Sequence, residues 1–287
     1  MRVGIVILPE LRWAEARARW QRAEEYGFAH AWTYDHLGWR DLVEGPWFDS
    51  MLTLTAAAHA TRSIRLGTLV ASPNFRHPVH FAREVTALDD ISGGRLTLGL
   101  GAGASAPSFD ALVLGKDSPE LSPRERVERF GEFVELLDLL LREGRATWSG
   151  SYYEAVDART TPGCVQQPRV PFVMAANGRR SMGLAERFGG GWITTGGRAD
   201  DLEEWWRSVA ERSERFSGSG DRYLMLDSAP RFSLSSRGFF EEQVGRAAEL
   251  GFSDVITHWP RPSSWYAGDE AVLEEVAADV LPGLSPR

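Results

Sequence analysis

The feature of this sequence that most constrains its fold is an alternation of apolar, strand-like runs with helical patterns, which repeats eight times. The strand-like runs are rich in Val, Ile and Leu, and they lie at residues 2–8, 29–34, 64–70, 95–101, 170–176, 192–195, 223–230 and 254–259. The clearest helix start is the S-P-R-E sequence at 122–125, a capping box with proline at its first helical position. Strands that are apolar throughout, separated by helices, predict a parallel sheet covered by helices.

The number of repeats favours a closed barrel. Eight strand–helix units within 287 residues fit a (β/α)₈ TIM barrel better than an open, doubly wound sheet, which is the alternative. A hydrophobic content of 43% is sufficient for a core of that size. We therefore expect an α/β fold in which residues 1–287 form a single barrel domain.

Charge and cysteine content narrow the range of partners. The net charge of −8 argues against an extended nucleic-acid interface, which needs a basic face.

The single cysteine, Cys164, excludes an internal disulfide and suits a reducing, cytoplasmic compartment. It lies between prolines without a neighbouring histidine, so we expect an inert thiol rather than a nucleophile. The apolar run at the N-terminus ends at Pro9, which is too short for a signal peptide or a membrane span.

Two titratable residues, Asp35 and His36, follow the second predicted strand directly. In a (β/α)₈ barrel the catalytic groups stand at the C-terminal ends of the strands. The alternative role for Asp35 is to cap a helix, but the next helical pattern begins about twelve residues later. We therefore predict that Asp35 and His36 are functional.

The glycines after the fourth predicted strand fit the G-x-G-x-x-[GA] pattern of a dinucleotide-binding turn. That motif requires a helix to open at once, whereas Pro107 and a long polar loop follow here. We expect instead that Gly101 and Gly103 allow a flat ligand to approach the backbone.

The fifth predicted strand ends at Asn177-Gly178, and a helical pattern begins immediately afterwards. The free N–H groups of such a helix start can bind an anion, and Arg179, Arg180 and Ser181 add charge and a hydroxyl donor. The alternative is an ordinary strand–turn–helix connection, and the residues alone leave the two open. The six histidines lack the spacing of a metal-binding motif, so we expect no metal.

Taken together, residues 27–39, 64–103 and 170–195 resemble the bacterial luciferase-like superfamily. The resemblance extends from the first strand to about residue 197 and is weaker in the last two units. Members of this superfamily are (β/α)₈ barrels that bind either reduced flavin mononucleotide (FMN) or the deazaflavin coenzyme F420. The Asp35-His36 pair and the L-G-T-x-V strand resemble the F420-dependent dehydrogenases and reductases in particular.

The resemblance implies a role for each matching residue. Asp35 becomes a contact to the edge of the deazaflavin ring, and His36 faces the substrate or the reacting ring carbon. The Leu69–Val70 bond matches a non-prolyl cis peptide behind the ring. The segment from Asn177 to Met182 matches the one that binds the cofactor phosphate, which favours the anion-site interpretation.

One position departs from the family pattern. The sugar-phosphate dehydrogenases of the group carry a glutamate proton donor just after the glycines of the fourth strand, where this chain has Ala104-Ser105-Ala106. We therefore expect that this protein lacks that activity, and that the acid catalyst is His36 or comes from the substrate.

These observations leave three hypotheses. The first is an F420-dependent oxidoreductase acting on a small organic substrate. The second is a two-component monooxygenase that uses FMN from a partner reductase, and the third is a barrel without cofactor that acts as a binding protein. The loops at 37–47, 104–122 and 259–268 are expected to contact the substrate but carry no recognisable code. The pair Trp205-Trp206 suits either a homodimer interface or packing against its own barrel.

Overall fold

The computed structural model describes residues 1–103, 108–113 and 121–284. Its strands are β1 (Arg2–Val6), β2 (His30–Thr33), β3 (Arg65–Ala71), β4 (Leu96–Leu100), β5 (Arg145–Ser149), β6 (Glu154–Arg159), β7 (Phe172–Ala175), β8 (Gly191–Thr194), β9 (Asp221–Met225) and β10 (Asp254–His258). Its α-helices are α1 (Trp13–Glu25), α2 (Ser50–Ala60), α3 (Pro78–Ile91), α4 (Phe109–Val113), α5 (Pro123–Glu143), α6 (Arg179–Phe188), α7 (Leu202–Arg215), α8 (Arg237–Glu249) and α9 (Glu270–Asp279).

Eight of the strands form a closed parallel barrel in the order β1-β10-β9-β8-β7-β4-β3-β2. Strand β1 closes the cylinder because it pairs in parallel with β10 on one side and with β2 on the other. The predicted (β/α)₈ barrel is therefore confirmed, and the open sheet is excluded. Each of the eight predicted strand-like runs supplies one barrel strand.

Two elements were not predicted from the sequence. Strands β5 and β6 form an antiparallel hairpin outside the barrel, between α5 and β7. The short helix α4 lies within the segment that we expected to be a loop. The predicted capping box is present at the start of α5, where Ser122 and Glu125 exchange side-chain and backbone hydrogen bonds.

The barrel interior is filled mainly by apolar and aromatic side chains. Val6, Trp32, Leu69, Val173 and Ile256 belong to one buried cluster inside the cylinder. Trp32 is only 1% exposed, so it packs in this core. At the amino end of the barrel a polar cluster replaces the apolar one.

That polar cluster is centred on the carboxylate of Asp254, which is fully buried. It accepts two hydrogen bonds of 2.7 Å from the Arg2 guanidinium, and its Oδ1 lies 3.0 Å from Nε2 of His30. Because a buried carboxylate needs such partners, the cluster belongs to the stability of the amino end.

The glycines of β4 are explained by the shape of β3. The pairing of β3 with β4 shifts register between Thr68 and Ala71, and the Leu69–Val70 peptide bond is cis, as the resemblance implies. A Cβ on Gly99 would lie 2.1 Å from the carbonyl oxygen of Thr68. One on Gly101 would lie 2.7 Å from Cγ2 of Val70. The spacing of these glycines is thus required by strand-to-strand contact within the protein.

The tryptophan pair packs against its own barrel. Trp205 and Trp206 are 0% and 3% exposed. The indole of Trp205 donates to the carbonyl oxygen of Thr195, and that of Trp206 donates to the side-chain oxygen of Gln243. The pair is therefore not an exposed interface, and the interpretation of it as a dimer surface is wrong.

Two further sequence expectations concern Cys164 and membrane contact. Cys164 is 8% exposed, and burial raises the pKa of its thiol, which agrees with an inert side chain. Among the described residues, every helix is too short or too polar to cross a lipid bilayer.

We expect Gly99→Ala to lower the free energy of unfolding by about 1–3 kcal/mol, because its new methyl group would overlap a backbone oxygen that cannot rotate away. Gly245→Ala is the control. This exposed helical position has no atom within 4 Å of the added Cβ. There we expect a gain of about 0.5–1 kcal/mol from helix propensity. Urea unfolding measures both, and equal effects in the two variants would contradict the explanation.

Candidate functional site

The candidate site lies at the rim formed by the C-terminal ends of the barrel strands. The residues that directly follow β2 contact different parts of the protein. Tyr34 belongs to the barrel interior cluster, whereas the carboxylate of Asp35 contacts the surrounding helices. His36 comes next, and its ring lies 5.9 Å from that of Tyr34.

Asp35 anchors the end of β2 to the outer helices. Its carboxylate is 1% exposed and accepts a hydrogen bond of 2.5 Å from the hydroxyl of Ser50, the first residue of α2. The guanidinium of Arg76 donates to both of its oxygens, at 2.7 and 3.1 Å. Arg76 also pairs with Glu84 of α3. These contacts fix the carboxylate of Asp35 relative to α2 and α3. Its contact with the edge of a cofactor ring stays a prediction.

His36 is oriented by a carboxylate that sequence reasoning missed. Nδ1 of His36 lies 2.6 Å from Oδ2 of Asp110, and the other oxygen of Asp110 accepts from the backbone N–H of Leu37 at 2.7 Å. Because the carboxylate is the acceptor in this pair, Nδ1 of His36 carries the proton and Nε2 is left as a hydrogen-bond acceptor. Asp110 is 1% exposed, whereas the side chain of His36 is 24% exposed. The pair can therefore exchange a proton at Nε2.

Asp110 had no signal in the sequence. It lies in α4, within the long segment between the fourth and fifth barrel strands, where no periodicity or motif marks it. The positions Ala104, Ser105 and Ala106, at which the expected glutamate is missing, lie outside the described residues. A carboxylate nonetheless reaches His36 from the same segment.

A second histidine stands at the end of β10. Nδ1 of His258 lies 2.8 Å from Oδ2 of Asp227, and Nε2 lies 2.8 Å from the hydroxyl oxygen of Tyr34. Burial lowers the pKa of His258 despite its hydrogen bond with Asp227, so the imidazole is neutral near neutral pH. His258 fits the pattern that predicted His36, a titratable residue at a strand end, but no catalytic role was predicted for it.

The predicted anion site is an exposed helix start. Residues 177–180 are exposed, and α6 begins at Arg179 after Gly178. Oγ of Ser181 accepts from the N–H of Gly178 at 3.3 Å and donates to its carbonyl oxygen at 3.0 Å. Met182 is buried, and its N–H bonds to the carbonyl oxygen of Gly178. Asn177 accepts from the hydroxyl of Thr194.

The surface of this helix start is not covered by other side chains. Among the described residues, neither Arg179 nor Arg180 has an ion-pair or hydrogen-bond partner on its side chain. Because the first N–H groups of a helix lack partners within it, this turn offers several donors and two cations to an anion.

Helix α5 adds two arginines that the sequence analysis did not consider. Arg126 donates to the carbonyl oxygen of Gly103 at 3.0 Å, and Arg129 donates to Oδ1 of Asn74 at 3.2 Å. The Nε atoms of both arginines are buried without a hydrogen-bond partner. Within the described part of the chain neither guanidinium pairs with a carboxylate. Both cations at the rim thus lack an ion-pair partner in the part of the chain that the structure describes.

Helices α5 and α6 run side by side, so the N-terminal parts that carry the four arginines are next to each other. A Cβ on Gly131 of α5 would lie 3.6 Å from Leu184 of α6, and Arg187 of α6 pairs with Glu135 of α5 at 2.7 Å. Because Gly131 faces Leu184 and Glu135 faces Arg187, the two helices run in the same direction and their N-terminal ends are adjacent. Arg126 lies in the first turn of α5 and Arg129 in its second, and Arg179 and Arg180 lie in the first turn of α6.

The glycines predicted to admit a flat ligand have nearer neighbours. Gly101 faces Val70, as described above. Gly103 has a φ of +75°, and a Cβ there would lie 2.3 Å from Oδ1 of Asn74. Packing within the protein therefore accounts for both glycines, and their contact with a ligand stays a prediction. Among the described residues, no three His, Cys, Asp or Glu side chains are grouped so as to hold a metal ion.

Comparison with known proteins agrees with this architecture. The sequence profile of the family described as "Luciferase-like monooxygenase" matches residues 1–257. A relative in Kineococcus radiotolerans, named F420-dependent glucose-6-phosphate dehydrogenase, is 34% identical over 89% of this chain and 75% of its own length.

A relative in Mycobacterium tuberculosis, named F420-dependent hydroxymycolic acid dehydrogenase, is 32% identical over 99% of this chain and 76% of its own length. Among solved structures, the monooxygenase RslO1 from Streptomyces bottropensis superposes with a TM-score of 0.77 at 20% identity, covering 99% of this chain and 100% of that one. That likeness shows the shared fold alone. The chain belongs to the luciferase-like family.

Proposed function

We propose that this protein is an oxidoreductase that transfers a hydride between the deazaflavin coenzyme F420 and a small organic substrate. The observation that carries the proposal is the basic rim formed by the first two turns of α5 and the first turn of α6. Relatives above 30% identity that are named F420-dependent support the choice of cofactor. The protein as a whole is acidic, so an anionic cofactor needs such local cations.

The rim fits a phosphorylated cofactor in its donor chemistry. Within the described residues, the buried Nε atoms of Arg126 and Arg129 are donors without a partner, as a binding site for an anion requires. Together with Arg179, Arg180 and the N–H groups of the first turn of α6, they would hold the phosphate. The bound deazaflavin supplies the hydride chemistry, and the protein supplies orientation and proton transfer.

His36 is the group that we assign to proton transfer beside the cofactor. Asp110 holds its tautomer, so Nε2 can accept a hydrogen bond or a proton beside the cofactor, and can donate one when the ring is protonated. Asp35 fixes the backbone that carries His36, because its carboxylate is tied to Ser50 and Arg76.

The alternative is an FMN-dependent monooxygenase supplied by a partner reductase, which the description of the family favours. Titration of the purified protein with F420 and with FMN separates the two. Tight binding of FMN without binding of F420 would overturn our preference. A barrel that binds neither cofactor, and whose activity is unchanged in His36→Ala, would support the binding-protein hypothesis instead.

The choice of cofactor does not by itself identify the substrate. The missing glutamate at 104–106 leads us to propose that glucose 6-phosphate is not the substrate, although relatives carry that activity in their names. A cytoplasmic location is part of the proposal, since the lone thiol of Cys164 suits a reducing compartment.

We expect Arg179→Gln and Arg180→Gln each to weaken F420 binding about tenfold, which corresponds to about 1.4 kcal/mol for one lost charge-assisted contact. Arg187→Gln is the matched control, because this exposed arginine belongs to the opposite end of the same helix and pairs with Glu135. Fluorescence titration with F420 measures the affinities. Equal losses in all three variants would indicate a general charge effect and contradict a local site.

We expect Asp110→Asn to reduce turnover by about 10–100-fold while the affinity for F420 stays unchanged, because the amide no longer fixes the proton on Nδ1 of His36. The assay follows F420 reduction with the most active compound from a panel of alcohols. Nitrogen-detected NMR of the His36 ring reports the tautomer independently of turnover. Asp157→Asn, at an exposed carboxylate on β6, serves as control. An unaltered tautomer and rate would refute the role of Asp110.

A further inference from the structure

A continuous chain of four hydrogen-bonded side chains crosses the rim beside His36. It begins at Asp227 and passes through His258 and Tyr34, at 2.8 Å for each contact. It ends at Tyr266, whose hydroxyl lies 2.9 Å from that of Tyr34. The function proposed above uses none of these residues.

The donors and acceptors fix the direction of this chain. Oδ2 of Asp227 also accepts from the backbone N–H of His258 at 2.6 Å and from the hydroxyl of Thr257 at 3.1 Å. The carboxylate is thus an acceptor throughout, and Nδ1 of His258 carries the ring proton. Nε2 then accepts from the hydroxyl of Tyr34, whose oxygen in turn accepts from the hydroxyl of Tyr266.

The inner end of the chain is closed to water, and the outer end is half-buried. His258 is 1% exposed and Tyr34 is 5% exposed, whereas Tyr266 is partly accessible. The ring of Tyr266 stacks on the imidazole of His258 at 3.6 Å and on Trp39 at 5.9 Å. Tyr266 therefore has a fixed position at the rim. Its hydroxyl donates a hydrogen bond to Tyr34, and its oxygen retains lone pairs that can accept a hydrogen bond from a ligand.

We propose that Tyr266 binds the hydroxyl group of an alcohol substrate, and that Tyr34 and His258 carry the hydroxyl proton away to the His258–Asp227 pair. This inference rests on the proposed function, because it needs F420 as the hydride acceptor. Tyr266 is then a catalytic residue that touches the substrate, and Tyr34, His258 and Asp227 are positioning residues behind it.

The step balances as the oxidation of an alcohol to an aldehyde or ketone. The C–H bond of the carbinol carbon breaks, and its electron pair leaves as a hydride to F420. The O–H bond breaks, and its proton moves to the oxygen of Tyr266, as the proton of Tyr266 moves to Tyr34 and that of Tyr34 moves to Nε2 of His258. The imidazolium is stabilised by Asp227 and returns the proton to solvent along the same route.

The acid–base properties of the chain are consistent with a relay. Burial raises the pKa of Tyr266 to about 12, so its phenol stays protonated and passes a proton on without holding a negative charge. Burial also lowers the pKa of His258, which keeps Nε2 available as an acceptor. A neutral relay therefore exists in the resting protein.

The inference is tested with the purified full-length protein, F420 and a panel of 2-propanol, cyclohexanol and benzyl alcohol. Tyr34→Phe interrupts the chain behind the substrate contact, so we expect kcat to fall at least about tenfold with little change in KM. Tyr266→Phe removes the contact itself, so we expect KM to rise and kcat to fall. Tyr153→Phe, a partly buried tyrosine outside the chain, is the matched control and should match the wild type.

Binding and spectroscopy separate the possible failures. If the protein does not bind F420, both the proposed function and the relay are overturned. If F420 binds but none of the alcohols reduces it, or if both tyrosine variants keep wild-type kcat and KM, the relay alone is overturned. The nitrogen NMR signals of His258 should report a neutral ring with its proton on Nδ1, and a proton on Nε2 would contradict the direction of the chain.

Discussion

Closure of the parallel sheet through β1 is the constraint on which the rest of the structure depends. Residues Arg2–Val6 pair with β10, and residues 4–6 also pair with β2, so neither neighbour is left with an open edge. Because all eight barrel strands run in the same direction, their C-terminal ends meet at one rim. The side chains that follow β2 and β10 are brought together there only because β1 joins those strands. An open sheet would have left His36 and His258 at opposite edges.

The two ends of the cylinder use buried charge differently. At the amino end, the carboxylate of Asp254 is satisfied by Arg2 and His30, all within the protein. At the C-terminal rim, Asp110 pairs with Nδ1 of His36, and Nε2 of that ring has no hydrogen-bond partner among the described residues. Arg126 and Arg129 are held there without a carboxylate in the described residues. The polar groups at the amino end are hydrogen-bonded to one another. The rim, in contrast, keeps donors and acceptors without a partner among the described residues, as a binding site requires.

Much of the fold was predictable because the signals are local. The eight strands, the capping box of α5 and the exposed start of α6 follow from residues within a few positions of one another. The glycines of β4 were recognised as important, but their reason was not. They are required by contact with the backbone of Thr68 and the side chain of Val70, which belong to a neighbouring strand. The β5–β6 hairpin was missed because its short, polar strands lack the apolar run that marked the others.

The sequence by itself determined the strand–helix order, the position of Asp35 and His36 at a strand end, and the helix start at Gly178, because each depends on chain periodicity or on adjacent residues. Only the tertiary structure decided which side chains act together. Asp110 reaches His36 across 74 positions, and Tyr34 reaches His258 across 224. Contacts with Thr195 and Gln243, distant along the chain, likewise decided that Trp205 and Trp206 pack inward. The physical reason is that a hydrogen bond depends on distances of about 3 Å, which local sequence patterns do not encode for residues so far apart along the chain.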